Sequence, residues 1–390
     1  MTNRIITFCT IITFLLFIPL SLKSQATIGS KAEPLPGSIL DLKENDAQGA
    51  NSTKGLLLSR MELSDKNKLY PMFSGNYDTD KQDPLHAGLI VYNINTCFDE
   101  GAGPYAWDGT KWVFLVQEVN EVYKYKDQEG NPFLARRFGD AGIWMVQNLA
   151  ATTYDKVRDS DDKAIRTIEA GDIAFPDKNE QLTKDYPWMG VFYNLKTALN
   201  YEINKGNIAN TGRVQGMCPN GWHVPKPAEW IALEHELLNN TPNYTTAAGN
   251  FIDDPTFNHS ETVVNKVKQG DTPSTSVGEN ELYGKNFIMP ALLSPCVVPN
   301  TTNTDIGGVS LNATRGGFAI RLIGAVDGNN KVDGYGEKAG FWLSYSANNL
   351  MENGRNRVLI KFNATIGIHN NSGGGVRHYS IRCKKNNDTP

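Results

Sequence analysis

Cys218-Pro-Asn-Gly-Trp-His-Val-Pro225, continuing into Ala228-Glu-Trp230, sets the reading of the whole chain. Pro219-Asn-Gly221 is turn chemistry, because proline presets its own φ and glycine accepts a positive one. Pro225 and Pro227 forbid helix before about residue 226, and Pro227 suits the first helical position, where its missing amide costs nothing. Beyond it, Trp230, Leu233, Leu237 and Leu238 recur at helical spacing, which predicts a helix of roughly three turns with one apolar face. A cysteine ahead of this helix and a second near the chain end, in Ser380-Ile-Arg-Cys383, point to a disulfide that closes a whole domain.

With 390 residues the chain has room for two or three domains. Plentiful aromatics with raised Gly and Asn suit a loop-rich β or α+β protein. Met1–Ala26 has the plan of a secretory signal: Arg4 at the positive end, an apolar run from Ile5 to Leu22, and Ser24-Gln-Ala26 as a small-x-small cleavage site. The alternative is an uncleaved anchor, but Pro19 and Ser21 interrupt a run barely long enough to span. Cys9 has no small-residue lipidation context after it. Residues 27–390 are therefore expected to be exported, at the cell surface, associated with an outer membrane or secreted, with no later transmembrane span. Without Arg4 and Lys23, 36 basic residues face 42 acidic ones, a net charge of −6. No basic run tracks a phosphate backbone, so no nucleic-acid partner is expected.

Export places Cys97, Cys218, Cys296 and Cys383 in an oxidising compartment, where four cysteines allow three pairings. Their separations of 121, 78 and 87 residues fit no zinc pattern and no Cys-x-x-Cys motif. Cys218–Cys383 is the favoured pair. Cys97 and Cys296 are either a second bridge or two free buried thiols.

In chain order, residues 27–50 read as an extended lead-in. Gly55–Arg60 and Gly88–Asn93 are short apolar runs around a polar loop, and Gly103–Val113 is a hairpin turning at Asp108-Gly109. Residues 118–126 alternate as a strand, and Leu134–Phe138 with Ile143–Val146 form a second hairpin. Gly316–Gly324 is the expected inner strand, and Gly340–Tyr345, Val358–Phe362 and Tyr379–Cys383 a three-strand meander. The polar insert Asn239–Asn286 is expected to carry a short helix near 260–269.

Two resemblances follow. Lys54–Arg60, Gly88–Asn93 and Tyr105–Val113 resemble an N-terminal segment of Bacteroidetes surface proteins, with Ser59 where proline is usual. Similar segments occur in trimeric fibre proteins, which implies self-association. Val122-Tyr-Lys124, Arg136–Ala150, Gly190–Asn200, Cys218–Trp230, Phe341–Ser346 and Ser380–Cys383 together resemble the Fibrobacter succinogenes major paralogous domain. That resemblance implies an α+β, C-type-lectin-like fold over residues 118–387, with a twisted antiparallel sheet, one or two helices and long loops, behind a small β-rich segment at 27–117. One departure is the absence of a Ser or Thr cap before Pro227 and Glu229.

Site chemistry is sparse. Asp327, Asn329, Asp333 and Glu337 are hard oxygen donors in one loop that could hold calcium, but Lys331 occupies a ligand position of the usual spacing, and a Gly-rich turn is the plainer reading. The Glu-Pro-Asn and Gln-Pro-Asp tripeptides of calcium-dependent lectins are absent. Trp144, Trp222, Trp230 and Trp342 belong to the fold-defining motifs and read as core, leaving Tyr335, Tyr345, Asn348 and Arg355 as loop-borne ligand contacts. His223 reads as a structural, hydrogen-bonded histidine; no zincin, nucleophile-elbow or phosphate-loop motif is present. The leading expectation is a non-enzymatic exported protein that binds a glycan or a surface protein. The alternatives are a filament or envelope subunit, with the runs at 55–60 and 88–93 pairing by strand addition, and an enzyme of the formylglycine-generating type.

Overall fold

A computed structural model of the chain describes residues 25–47, 49–116, 121–158, 165–200, 213–246, 291–303, 308–346, 354–360, 365–370 and 377–387, with backbone only at 227, 345–346, 354–360 and 365–370. The chain divides into two compact units, residues 1–59 and 60–390. The expected helix near 260–269 lies outside the described residues.

In the first unit, β1 (Ala26–Ile28) pairs in parallel with β2 (Leu40–Leu42), so the lead-in is not wholly extended. Lys43 stitches the pair, its buried amine reaching Asp41, Asp46 and the Glu33 carbonyl. Among the unit's described residues Lys43 alone is buried; Ile39 is 76 % exposed and Leu57 83 %. The described residues of this unit form no apolar core.

The second unit opens with β3 (Arg60–Met61), α1 (Thr79–Leu85), β4 (Ile90–Asn93), β5 (Gly103–Trp107) and β6 (Trp112–Phe114). The strands lie in that order, β3 parallel to β4 and the others antiparallel. The hairpin forms as expected. Asp108 accepts the amides of Thr110 and Lys111 at 2.8 Å, while Gly109 takes φ +100°. One face of this sheet packs Val91, Tyr105, Trp107 and Trp112 onto Leu63, Leu69 and Phe98. The indoles donate to the Asp83 and Lys68 carbonyls, so neither buried N–H is wasted.

There follow β7 (Val122–Lys126), β8 (Pro132–Arg137), β9 (Ile143–Met145), β10 (Ile173–Ala174), α2 (Glu180–Asp185), β11 (Phe192–Asn194), α3 (Leu195–Leu199), β12 (Trp222–His223) and α4 (Pro227–Asn239). The remaining strands are β13 (Ala325–Val326), β14 (Val332–Asp333), β15 (Lys338–Ser346), β16 (Gly354–Ile360), β17 (Thr365–Asn370), β18 (His378–Tyr379) and β19 (Lys384–Lys385). They make antiparallel sheets ordered β12-β19-β9-β8-β7, β10-β11-β18-β13-β14 and β15-β16-β17. With few helices and several antiparallel sheets, the architecture is α+β.

The chain end enters two of these sheets. β18 lies between β11 and β13, and β19 between β12 and β9. The Cys218–Cys383 disulfide, Cα atoms 5.9 Å apart, ties the turn ahead of β12 to the residue ahead of β19. Cys97 and Cys296 also form a bridge, with Cα atoms 5.4 Å apart. It ties the β3–β6 sheet to the rest of the second unit.

Helix α4 starts at Pro227 as the prolines require, and Trp230, Leu233, Leu237 and Leu238 are all buried. Their core includes Phe138, Trp144, Phe318 and Phe341. Two expectations are corrected. Gly316–Gly324 is buried apart from the half-buried Arg321, but it is not a strand: Ala319 takes φ +49°, and the Phe318 and Ala319 carbonyls accept from Arg382 rather than from a ladder. The third strand of the meander is Thr365–Asn370; Tyr379–Cys383 instead runs parallel beside β15 through a Phe341–Ser380 bridge, while Tyr379 pairs with Tyr193 in another sheet.

Candidate functional site

His223, central to the motif that decides the fold, sits in a closed polar knot. Its Nδ1 lies 2.8 Å from Asn386 Oδ1 and its Nε2 3.1 Å from both Glu229 oxygens. Glu229 also receives Lys384 Nζ at 3.0 Å and the Lys226 amide at 2.9 Å. That last bond is the glutamate half of a capping box: it satisfies the amide of the cap residue Lys226 itself, not the helical amides that a Ser or Thr would have served. Burial pushes the Glu229 carboxyl up, but His223, Lys384 and the Lys226 amide outweigh it and hold the pKa at about 2. Every partner is a neighbour in the fold, so this histidine joins β12 to the start of α4 and to the chain end.

The loop expected to offer calcium ligands is a hairpin between β13 and β14. Asp327 turns its carboxylate inward to the Asn329 and Lys331 amides at 2.9 and 2.8 Å, and these bonds lower its pKa. Asp333 pairs with Lys338 instead. Asn329 and Glu337 are exposed, and among the described residues no three His, Cys, Asp or Glu side chains converge as a metal site. The four oxygen donors are therefore not brought together around one point.

Tyr335 is half-buried, packs against the Val326 cluster and donates to the Pro299 carbonyl at 2.8 Å. Burial pushes it up to about 12. Arg355 pairs through its backbone with Asn370. The side chains of Tyr345 and Arg355, and Asn348 altogether, lie outside the described residues. Trp144, Trp222, Trp230 and Trp342 are buried, as their place in the motifs requires.

The outer face of the β3–β6 sheet is different. Register sets Ile90 beside Ala106 and Ala106 beside Val113, one apolar row across three strands. A second row runs Tyr92, Pro104 and Leu115, the last through its amide on the Pro104 carbonyl at 3.0 Å. Ile90 is 46 % exposed, Leu115 49 % and Val113 39 %. An antiparallel sheet with one packed face normally shows polar residues on the other. Here the alternation is apolar on both faces. The run 88–93 was legible as apolar, but it does not offer a free edge: β4 lies between β3 and β5, so strand addition there is ruled out by its own neighbours.

Residues 140–385 match the Fibrobacter succinogenes major domain. The chain belongs to that family. The matched range thus contains β9 to β19, the whole β10-β11-β18-β13-β14 sheet, the meander and helix α4, with β7 and β8 of the remaining sheet lying ahead of it, while residues 27–128 match the phage tail like trimerisation region. The latter match includes the apolar rows and residues 27–59 of the first unit. Family matches and compact units divide the chain at different places, because the Cys97–Cys296 bridge joins residues 60–116 to the major domain. No curated protein and no solved structure matches the chain.

Proposed function

We propose that this is an exported, non-enzymatic surface protein. Residues 27–116 assemble three chains, and the assembly displays major domains, C-type-lectin-like in fold, to a glycan or protein partner. The observation that carries self-association is the pair of apolar rows on the outer sheet face, within a segment similar to a trimerisation region. Contiguous exposed apolar surface of this kind marks an interaction site, and a row repeated on identical chains is suited to symmetric packing. The signal-like leader and the even cysteine set support export. Calcium, if used, would have to draw on a rearranged Asp327–Glu337 hairpin.

The test is the mass of unreduced residues 27–390 by size exclusion with light scattering. A trimer is expected, and Ile90→Lys with Val113→Lys should leave a folded monomer. A wild-type chain that stays monomeric across the concentration range would sink the reading.

A further inference from the structure

A cavity of about 180 Å³ lies in the second unit, lined among others by Gln147, Trp188, Asn312, Arg321 and Arg382. Arg382 is buried in its floor. Its Nε donates to Asn148 Oδ1 at 2.9 Å and its terminal nitrogens to the Phe318 and Ala319 carbonyls, with Phe318 and Phe341 flanking the guanidinium. All of these acceptors are neutral. Arg321 lies over the Trp188 ring, 4.1 Å from its centroid, and among the described residues its side chain has no hydrogen bond or ion pair. Burial pulls Arg321 down to about 10 and Arg382 to about 9, so both remain protonated near neutral pH.

Among the described residues, two cations thus share one cavity without a counter-ion of their own, an arrangement that is costly unless something offsets it. The acid in the lining, Asp99, is engaged by Lys66. The polar groups of the opposite wall are also used: the Asn312 amide donates to the Thr96 and Asp99 carbonyls at 3.1 and 3.0 Å. What remains uncommitted is donors. They are the Arg321 fork and the Gln147 amide N–H groups, since Gln147 Oε1 already accepts from Leu134 N. A wall of free donors calls for a ligand that only accepts. A planar carboxylate meets the guanidinium fork with two parallel bonds.

We propose that this cavity binds the carboxylate group of a small acidic ligand, with Arg321 as the direct contact and Arg382 supplying buried positive charge. The volume admits a carboxylate and its immediate carbon skeleton rather than a large ligand. Asn148 sets the geometry, accepting from Arg382 and donating Nδ2 to Met189 O, one residue beyond the stacking Trp188. This assignment is independent of whether the chain forms trimers.

Acetate and glucuronate, with glucose and sulfate as controls, would be titrated into residues 27–390 at low salt, followed by tryptophan fluorescence and calorimetry. Saturable binding of both carboxylates, absent for glucose, is expected. Arg321→Gln should weaken it on the order of tenfold or more, with an unchanged melting temperature. Arg321→Lys should recover only part, because a point charge lacks the fork. Equal binding by Arg321→Gln, no binding of either carboxylate, or sulfate binding as tightly as acetate at the same site would each overturn the assignment.

Discussion

Glu229 shows how one side chain can hold several elements. It satisfies the amide of Lys226 at the start of α4, faces His223 on β12 and receives Lys384 from β19. Glu229→Gln keeps the shape but removes the charge that His223 and Lys384 face, and should cost about 2–4 kcal/mol at neutral pH in urea unfolding. The sign with pH follows from the depressed folded value. An ordinary carboxyl near 4.5 is held at about 2 in the fold, so its stabilisation is full above pH 4.5 and is lost as pH falls towards 2. The wild type should therefore lose stability over that window, and Glu229→Gln should show a flatter slope there. Equal slopes would mean the carboxyl is not coupled to folding. Gly190 is a second single-residue dependence. It takes φ +62° where a Cβ would collide with the Leu149 carbonyl and come within 2.8 Å of the Asn148 one. Gly190→Ala should destabilise by about 2 kcal/mol or more, and because Asn148 supports Arg382 it should also weaken carboxylate binding.

Among the elements, the two disulfides do different work. Cys218–Cys383 spans 165 residues and fastens adjacent strands of one sheet, whereas Cys97–Cys296 spans 199 and attaches the β3–β6 sheet. Removing either by double serine substitution should cost about 2–5 kcal/mol. Hydrogen exchange should separate them. Cys97→Ser with Cys296→Ser should loosen residues 60–116 first, and Cys218→Ser with Cys383→Ser should loosen β12, β19 and α4. Identical exchange patterns would show that the second unit behaves as one cooperative block. The helix at Pro227 and both hairpins were legible because each rests on local chemistry: prolines, glycine-bearing turns, a 3.6-residue period. The Cys218–Cys383 pair, 165 residues apart, was legible only because exported cysteines are few and even in number. The failures are long-range. Tyr379–Cys383 reads as a strand of the meander, yet nothing near Tyr379 in sequence encodes a partner 186 positions away at Tyr193. Gly316–Gly324 is apolar enough for a strand, and its identity as irregular core depends on Arg382 arriving from the chain end. Arg321 and Arg382 were invisible as a site for the same reason: a missing counter-ion is a property of the folded surroundings, not of a motif.

For the whole molecule, the question is what covers residues 25–59. Their one buried side chain is Lys43, while Ile39, Leu40, Leu56 and Leu57 stand exposed. A segment of this length without a core does not gain enough from burial to order itself. In a trimer, the same leucines and isoleucines would gain apolar partners on the other chains, and burial of each would contribute about 1.5–3 kcal/mol. Among the described residues, the hydrophobic clusters of the second unit contain none before Met61. Deleting residues 27–59 should therefore leave residues 60–390 folded, with both disulfides and carboxylate binding intact, while trimer affinity falls by at least tenfold. Sedimentation velocity and a melting curve on the same sample distinguish the outcomes. A truncated chain that is still fully trimeric would place the whole interface on the Ile90–Val113 and Tyr92–Leu115 rows. One that unfolds would show that the first unit supports the fold itself, and the division of labour between assembly and binding would fall with it.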